Sequence, residues 1–222
     1  MVKIDQVFRT KRKSIALIIQ RDGRLIVRAP LHTSDKSIRS FVEKNTAWIK
    51  AKQAQVKTAY PQVAPKKYID GEKFWYLGRQ YPLQIVDRLN PPVKFFDRFF
   101  IDRSAVCKAQ WHLTQWYKKQ ARRVISERVK IFAAKNGFAY RQVKITSAQT
   151  RWGSCSSKGS LCFSWRLIMA PLPVIDYVVI HELVHLKEKN HGKSFWEKVN
   201  TLMPDYKQKI AWLKKNGPLL QI

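Results

Sequence analysis

Three of the chain's five histidines lie close together, within residues 181–191. His181 and His185 flank Glu182 in the pattern H-E-x-x-H. On a helix the two histidines are one turn apart and project from the same face. Their imidazoles can then share one zinc ion, and the glutamate can reach the metal-bound water. A random arrangement of this composition gives roughly 0.003 such matches per chain, so the pattern is a specific signal for a metal site.

A catalytic zinc usually has three protein ligands and one water, so a third ligand must lie elsewhere in the chain. His191 follows shortly after His185 and has the right ligand type. We therefore predict His191 as the third ligand. The alternatives are Glu197 on the following helix and, with less support, Asp205.

The residues around His191 predict a tight turn between two helices. Asn190 and Gly192 both tolerate left-handed backbone and favour the end of the first helix there. Ser194 and Glu197 fit an S-x-x-E capping box at the start of the second helix, which would occupy Glu197. The spacing also matches the metzincin pattern H-E-x-x-H-x-x-G-x-x-H, but Glu188 stands where that pattern has glycine.

The elements before this turn must position the site. Pro173 is well placed in the first turn of the H-E-x-x-H helix, whose apolar residues cover most of its surface and predict burial. Residues 140–170 are predicted as two antiparallel strands, Val143–Thr150 and Leu161–Met169, joined by a Gly/Ser-rich connection. An edge strand beside the metal can align an extended peptide by main-chain pairing.

Two arginines of this strand pair, Arg151 and Arg166, are candidates for substrate binding. A guanidinium group binds a carboxylate or a phosphate through two parallel hydrogen bonds. Ion pairing or packing around Trp152 is the structural alternative for both side chains.

The first hundred residues predict a β-rich part with one helix. Asp22-Gly23 favours a hairpin turn within residues 7–30, and Ser34 or Asp35 can cap a helix that runs to about Lys57. Proline then predicts a linker over 58–67. Short aromatic strands are predicted near Asp70-Gly71 and Gly78 and over 93–101.

Residues 104–135 predict a long amphipathic helix with an apolar face and a basic face. The apolar face carries Val106, Leu113, Tyr117, Val124 and Phe132, and the basic face carries Lys108, Lys118, Lys119, Arg122, Arg123 and Lys130. The basic face is either a phosphate-binding surface or an ordinary solvated face.

The net charge of the chain is +28, and residues 104–166 contain 13 Lys and Arg but a single acid, Glu127. Such a surface attracts polyanions, although a generic solubility charge is an equal explanation. No secretory signal or membrane-spanning stretch is evident, and three cysteines do not make a disulfide framework. We expect a cytoplasmic protein with reduced thiols; its oligomeric state is open.

Several motifs together resemble the YgjP-like metallopeptidase family. They are Arg151-Trp-Gly-Ser-Cys, Trp165-Arg-Leu, Tyr177-Val-Val-Ile-His-Glu-Leu-Val-His185, Asn190-His191 and Phe195-Trp196. This family is similar to SprT-like and other zincin peptidases. The resemblance implies a zinc site of His181, His185 and His191, with Glu182 as the catalytic base. A nucleoside-triphosphate pyrophosphatase activity has also been attributed within the family.

These observations predict an α+β fold with a zincin-like core, in which the H-E-x-x-H helix lies beside an antiparallel sheet. We expect an N-terminal β-rich part with one helix at 1–103 and a zincin-like catalytic part at 104–222, which together form one YgjP-like unit. The predicted function is a zinc-dependent metallopeptidase acting on a peptide or protein. The alternatives are a UTP pyrophosphatase and a nucleic-acid-associated protein with a zinc site.

Overall fold

The computed structural model describes residues 2–20, 23–59 and 64–222. The chain divides into two compact units, Met1–Ala64 and Pro65–Ile222. The predicted division after residue 103 is therefore corrected. Strands that the sequence assigned to an N-terminal part belong to the second unit, because their aromatic side chains share a core with the long helix that follows them.

The first unit contains a three-stranded sheet. Its strands are β1 (Gln6–Thr10), β2 (Ala16–Ile19) and β3 (Leu25–Pro30), in the order β1-β3-β2. The predicted hairpin is present, since β2 and β3 pair antiparallel. Arg21 and Asp22, which belong to the predicted turn, lie outside the described residues. The parallel pairing of β1 with β3 was not expected.

Two helices pack on this sheet in place of the one predicted. They are α1 (Asp35–Lys44) and α2 (Thr46–Ala59), separated at Asn45. The predicted cap is confirmed, because the Ser34 hydroxyl accepts a hydrogen bond from the Ser37 amide. The core consists of Leu25, Val27, Ala29, Ile38, Val42 and Ile49. The predicted linker at 58–67 falls partly outside the described residues.

The second unit begins with a four-stranded sheet. Its strands are β4 (Lys73–Tyr76), β5 (Arg79–Val86), β6 (Val93–Phe95) and β7 (Phe99–Asp102), in the order β4-β5-β7-β6. The single strand predicted over 93–101 is thus a hairpin of two strands, β6 and β7, which pair antiparallel.

A long helix, α3 (Ala109–Asn136), packs against this sheet. The Phe99 ring lies 5.0 Å from the Trp116 ring and 5.7 Å from the Tyr117 ring, measured between centroids. Aromatic pairs at such distances stabilise beyond the area they bury. The predicted apolar face is confirmed at its centre, since Leu113, Tyr117 and Val124 are buried.

A second sheet follows α3 and lies nearest to the site. Its strands are β8 (Gln142–Thr146), β9 (Gly153–Cys155) and β10 (Ser160–Ser164), in the order β8-β10-β9. The predicted antiparallel pair is wrong, because β8 and β10 run parallel. The intervening segment crosses to the far side of β10 and returns as β9, which pairs antiparallel with it.

Three helices complete the unit: α4 (Leu172–Val184), α5 (Lys193–Leu202) and α6 (Tyr206–Asn216). Ten side chains of α4 are buried, and Pro173 lies in its first turn, as predicted. The α+β class is confirmed, with the H-E-x-x-H helix beside a sheet that is mixed and not antiparallel. Among the described residues, none of the helices has the length and hydropathy needed to cross a membrane.

Candidate metal centre

The three predicted histidines converge at the end of α4. His181 and His185 lie one helical turn apart, and His191 folds back from the turn that leads to α5. The Nε2 atom of His191 is 3.0 Å from Nε2 of His181 and 3.1 Å from Nε2 of His185. One ligand atom from each residue lies within 4.8 Å of the other two.

This geometry fits a tetrahedral zinc ion. With zinc–nitrogen bonds of about 2.0–2.1 Å, ligand atoms of a tetrahedron are about 3.3 Å apart, close to the observed separations. The His185 Nδ1–H donates to the Glu188 carbonyl oxygen at 2.9 Å. That hydrogen bond fixes the tautomer and leaves the Nε2 lone pair of His185 available for a metal.

Aromatic side chains of α5 pack against the histidine cluster. The Phe195 ring centroid lies 4.9 Å from that of His181, 4.6 Å from that of His185 and 4.7 Å from that of His191. Trp196 lies over His191 on the same side, with the planes 30° apart. The Tyr177 hydroxyl is 3.4 Å from Nδ1 of His181, one turn earlier on α4. These contacts restrict the orientation of each imidazole.

The turn that carries His191 is built differently from the prediction. α4 ends at Val184, with His185 as its C-cap. Gly192 has a φ of −74°, and Asn190 is not among the residues with positive φ, so neither predicted left-handed position occurs. Gly192 is the N-cap of α5, with no side-chain capping bond, so the Ser194–Glu197 box is wrong. Glu197 instead lies 3.8 Å from Lys193 in an exposed ion pair.

Glu188 holds this turn against α5. Its carboxylate pairs with Lys198 and accepts a hydrogen bond from Ser194. These bonds lower the pKa of Glu188 below its ordinary value. Since its carbonyl also accepts from His185, one residue orients a histidine and anchors the loop to the helix that follows.

Glu182 is enclosed in the core beside β9. Only 4% of its surface is exposed, and its Oε2 atom has no hydrogen-bond partner among the described residues. A Cβ added at Gly153 would lie 2.5 Å from Glu182 Oε1 and 2.6 Å from its Cγ. Glycine at this strand position therefore makes room for the carboxylate. An unpartnered buried carboxylate is costly, and a bound cation would offset that cost.

The protonation states match a metal site. Burial raises the pKa of Glu182 to about 8, and the charge of Arg151 opposes this rise. Burial, together with the neighbouring His185 and His191, lowers the pKa of His181 to about 3. His181 is therefore neutral at physiological pH and can donate its lone pair. A carboxyl group with a pKa near the working pH suits a general base.

The two arginines predicted for substrate binding differ in their surroundings. Arg151 is exposed and precedes β9, within electrostatic reach of Glu182. The Arg166 guanidinium lies over the Trp165 ring, 4.5 Å from its centroid, and donates to the Ser147 carbonyl at 3.4 Å. Arg151 thus acts electrostatically on the Glu182 carboxyl group, whereas Arg166 contacts Trp165 and Ser147.

Sequence reasoning assigned no role to three residues that shape the centre: Gly153, Tyr177 and Phe195. Tyr177 precedes His181 by four residues, which on a helix places both on one face, so its contact was detectable. Gly153 and Phe195 approach the histidine helix only through tertiary packing, which no local pattern reveals.

A family comparison matches residues 13–216 to the YgjP-like metallopeptidase domain. The chain belongs to the YgjP-like family. The predicted family membership is thereby confirmed, and the family implies a hydrolase with a bound metal ion. The histidine cluster provides a group able to hold such an ion.

Two individual proteins are similar to parts of the YgjP-like chain. A UTP pyrophosphatase from Escherichia coli (strain K12) is 30% identical over 110 residues, a match spanning 47% of this chain and 64% of that protein. The chain therefore matches less than two thirds of the relative's length. The metallopeptidase zymogen abylysin of Pyrococcus abyssi aligns at 23% identity and a TM-score of 0.36, over 38% of this chain and 87% of its own.

Proposed function

We propose that the chain is a zinc-dependent metallopeptidase, with His181, His185 and His191 as the metal ligands and Glu182 as the general base. The observation that carries this proposal is the convergence of three imidazole nitrogens beside a buried carboxylate oxygen that has no hydrogen-bond partner in the described part of the chain. Structural zinc sites normally have four protein ligands, whereas a three-ligand site leaves one position for water or substrate.

These imidazoles would hold a zinc ion, which would supply Lewis acidity for polarising a scissile carbonyl and for lowering the pKa of a water molecule to about 7. Glu182 contributes the proton transfer. Its Oε2 atom accepts a proton from the attacking water and delivers it to the leaving amine nitrogen. Because Gly153 has no Cβ, the carboxylate fits against β9, where an added Cβ would lie 2.5 Å from Glu182 Oε1.

Strand β9 is suited to align an extended peptide. It lies at one edge of the sheet, where its only strand partner among the described residues is β10. At one end of the pair, the Ser164 amide donates a hydrogen bond to the Trp152 carbonyl oxygen. At the other end, the Ser156 amide donates to the Ser160 carbonyl oxygen. Because hydrogen bonding alternates along an antiparallel strand, the backbone groups of Gly153 and Cys155 face the open edge. We assign these groups to main-chain pairing with substrate.

Arg151 is our candidate for recognising a negative group on the substrate. Its side chain is exposed and electrostatically coupled to Glu182. We prefer it to Arg166, whose guanidinium already contacts Trp165 and Ser147.

A second candidate function is hydrolysis of a nucleoside triphosphate such as UTP. The similarity to an Escherichia coli UTP pyrophosphatase favours it, and a guanidinium such as Arg151 binds phosphate as well as carboxylate. Against it, the sequence contains no Walker-type glycine loop, and phosphate chemistry usually employs Mg²⁺ with oxygen ligands.

A substrate screen on zinc-loaded protein tests both candidates. Wild type and Glu182→Gln are compared on a peptide library, casein and UTP, with zinc content measured for each preparation. The proposal expects peptide cleavage by wild type, lost in the variant at equal zinc content. Pyrophosphate release from UTP that disappears in the variant, without peptide cleavage, would establish the second candidate.

A further inference from the structure

The first half of α3 presents an exposed face that combines an aromatic ring with cations. Trp111 is 59% exposed, although indole rings are usually well buried. Gln115, Lys119 and Arg122 follow at intervals of three to four residues and are also exposed. Residues at this spacing share one side of a helix, so the four side chains form a continuous stripe about 16 Å long. Lys118, half-buried, borders it.

The cations of this stripe have no acidic partners. Lys118, Lys119 and Arg122 make no hydrogen bond or ion pair within the described ranges 2–20, 23–59 and 64–222. By contrast, Arg128 on the core side of α3 forms two hydrogen bonds with Asp176, at 2.6 and 2.8 Å. Surfaces that serve only solubility usually intersperse both signs of charge. A stripe without acids therefore complements a polyanion.

The exposed indole distinguishes between kinds of polyanion. An acidic peptide offers carboxylates but few flat faces, and the bases of a duplex are stacked on each other. An unpaired base presents a π-face on which an exposed tryptophan can stack, while neighbouring Lys and Arg contact the phosphates. The helix is rigid, since its opposite face is anchored by buried Leu113, Tyr117 and Ala121. The stripe is therefore preorganised.

We propose that Trp111, Lys118, Lys119 and Arg122 form a binding surface for single-stranded nucleic acid. The indole stacks on a base, and the three cations hold the flanking phosphates. This surface is formed by residues other than those of the histidine centre. Binding at this surface requires no metal, and its test does not depend on the proposed peptidase activity.

Fluorescence anisotropy of the full chain with labelled 15-nucleotide dT and rU oligomers tests the proposal. Trp111→Ala should weaken binding by about 5- to 150-fold, and Trp111→Tyr, which keeps an aromatic face, should retain most of it. The matched control is Trp48→Ala, since Trp48 is also exposed, at 48%, but lies in the other unit. The control should bind as wild type does.

A charge comparison separates the stripe from the overall charge of the chain. Lys119→Glu/Arg122→Glu should reduce the slope of log affinity against log salt concentration by about 1.4, since each lost phosphate contact on a single strand contributes about 0.7. The charge-matched control is Lys207→Glu/Lys214→Glu, at exposed positions of α6. Its slope of log affinity against log salt concentration should stay close to that of wild type. Circular dichroism and zinc content verify that each variant is folded.

Three outcomes would overturn the proposal. Equal effects of the two double variants would show that only net charge matters. Wild-type affinity of Trp111→Ala would remove the stacking role. Tighter binding of a 15-base-pair duplex than of the single strands would assign the surface to double-stranded nucleic acid.

Discussion

The buried carboxylate of Glu182 should make the stability of the metal-free protein depend on pH. The folded pKa is about 8, against an ordinary value of 4.5 in the unfolded chain. Between these values the folded state retains a proton that the unfolded state has released. Stability therefore falls as pH rises, by about 1.4 kcal/mol per unit and by about 5 kcal/mol in all.

His181 acts in the opposite direction over a lower range. Its pKa is about 3 in the folded state, against an ordinary 6.5, so its contribution to stability is present above pH 6.5 and is lost as pH falls towards 3. Between pH 4.5 and 6.5 the two slopes oppose each other. Above pH 6.5 only the Glu182 slope remains, and it predicts a loss of about 2 kcal/mol by pH 8.

Urea unfolding in the presence of a chelator measures this effect. Tryptophan fluorescence is a suitable probe because seven of the eight tryptophans lie in the unit that contains Glu182. Wild type should lose about 2 kcal/mol between pH 6.5 and 8, and Glu182→Gln should lose almost none. The exposed Glu127→Gln control should follow wild type, and added zinc should abolish the slope, since a nearby cation lowers the pKa of a carboxyl group.

An equal free-energy difference between Glu182→Gln and wild type at both pH values would refute the pH dependence predicted for Glu182. In that case the carboxyl group is not held protonated by burial. A uniform loss of stability in the variant would point to packing alone.

Three further substitutions test the surroundings of the centre. His191→Ala should abolish stoichiometric zinc binding in a metal-content assay, whereas full retention would assign the third ligand elsewhere. Gly153→Ala should lower the hydrolysis rate at least tenfold with zinc retained, because the new Cβ would lie 2.5 Å from Glu182 Oε1. Gly192→Ala is the control and should hydrolyse as wild type does, because a Cβ there meets nothing within 4 Å. Glu188→Gln should weaken zinc affinity about 10-fold, because it loosens the contact with Lys198 that supports the turn carrying His191. Zinc affinity is measured by competition with a chelator. An affinity equal to that of wild type would show that the Glu188 carboxylate is not needed for zinc binding.

The grouping of the histidines was predictable from sequence because it depends on local spacing. His181 and His185 lie one helical turn apart on any α-helix, so their shared face follows from the pattern alone. His191 was reached by ligand type and by the expectation of a turn. The turn exists, but it is stabilised by Glu188, Ser194 and Lys198 and not by the predicted capping box.

The pairing of strands around the centre was not accessible in the same way. A Gly/Ser-rich connection between two apolar runs favours a hairpin, but here the connection contains strand β9 itself. Tertiary contact favours the observed strand pairing over a hairpin, since Gly153 in β9 provides the space that Glu182 needs. The division into units was missed for the same reason: the aromatic residues of β4–β7 pack against α3 through tertiary contacts that no local pattern reveals.

The central claim is that the three histidines hold a zinc ion next to Glu182. Anomalous diffraction at the zinc edge from crystals of the zinc-loaded protein measures this directly. One peak is expected, about 2.0–2.1 Å from Nε2 of His181, His185 and His191. A peak ligated by Glu197 or Asp205, or the absence of zinc at this cluster, would contradict the claim.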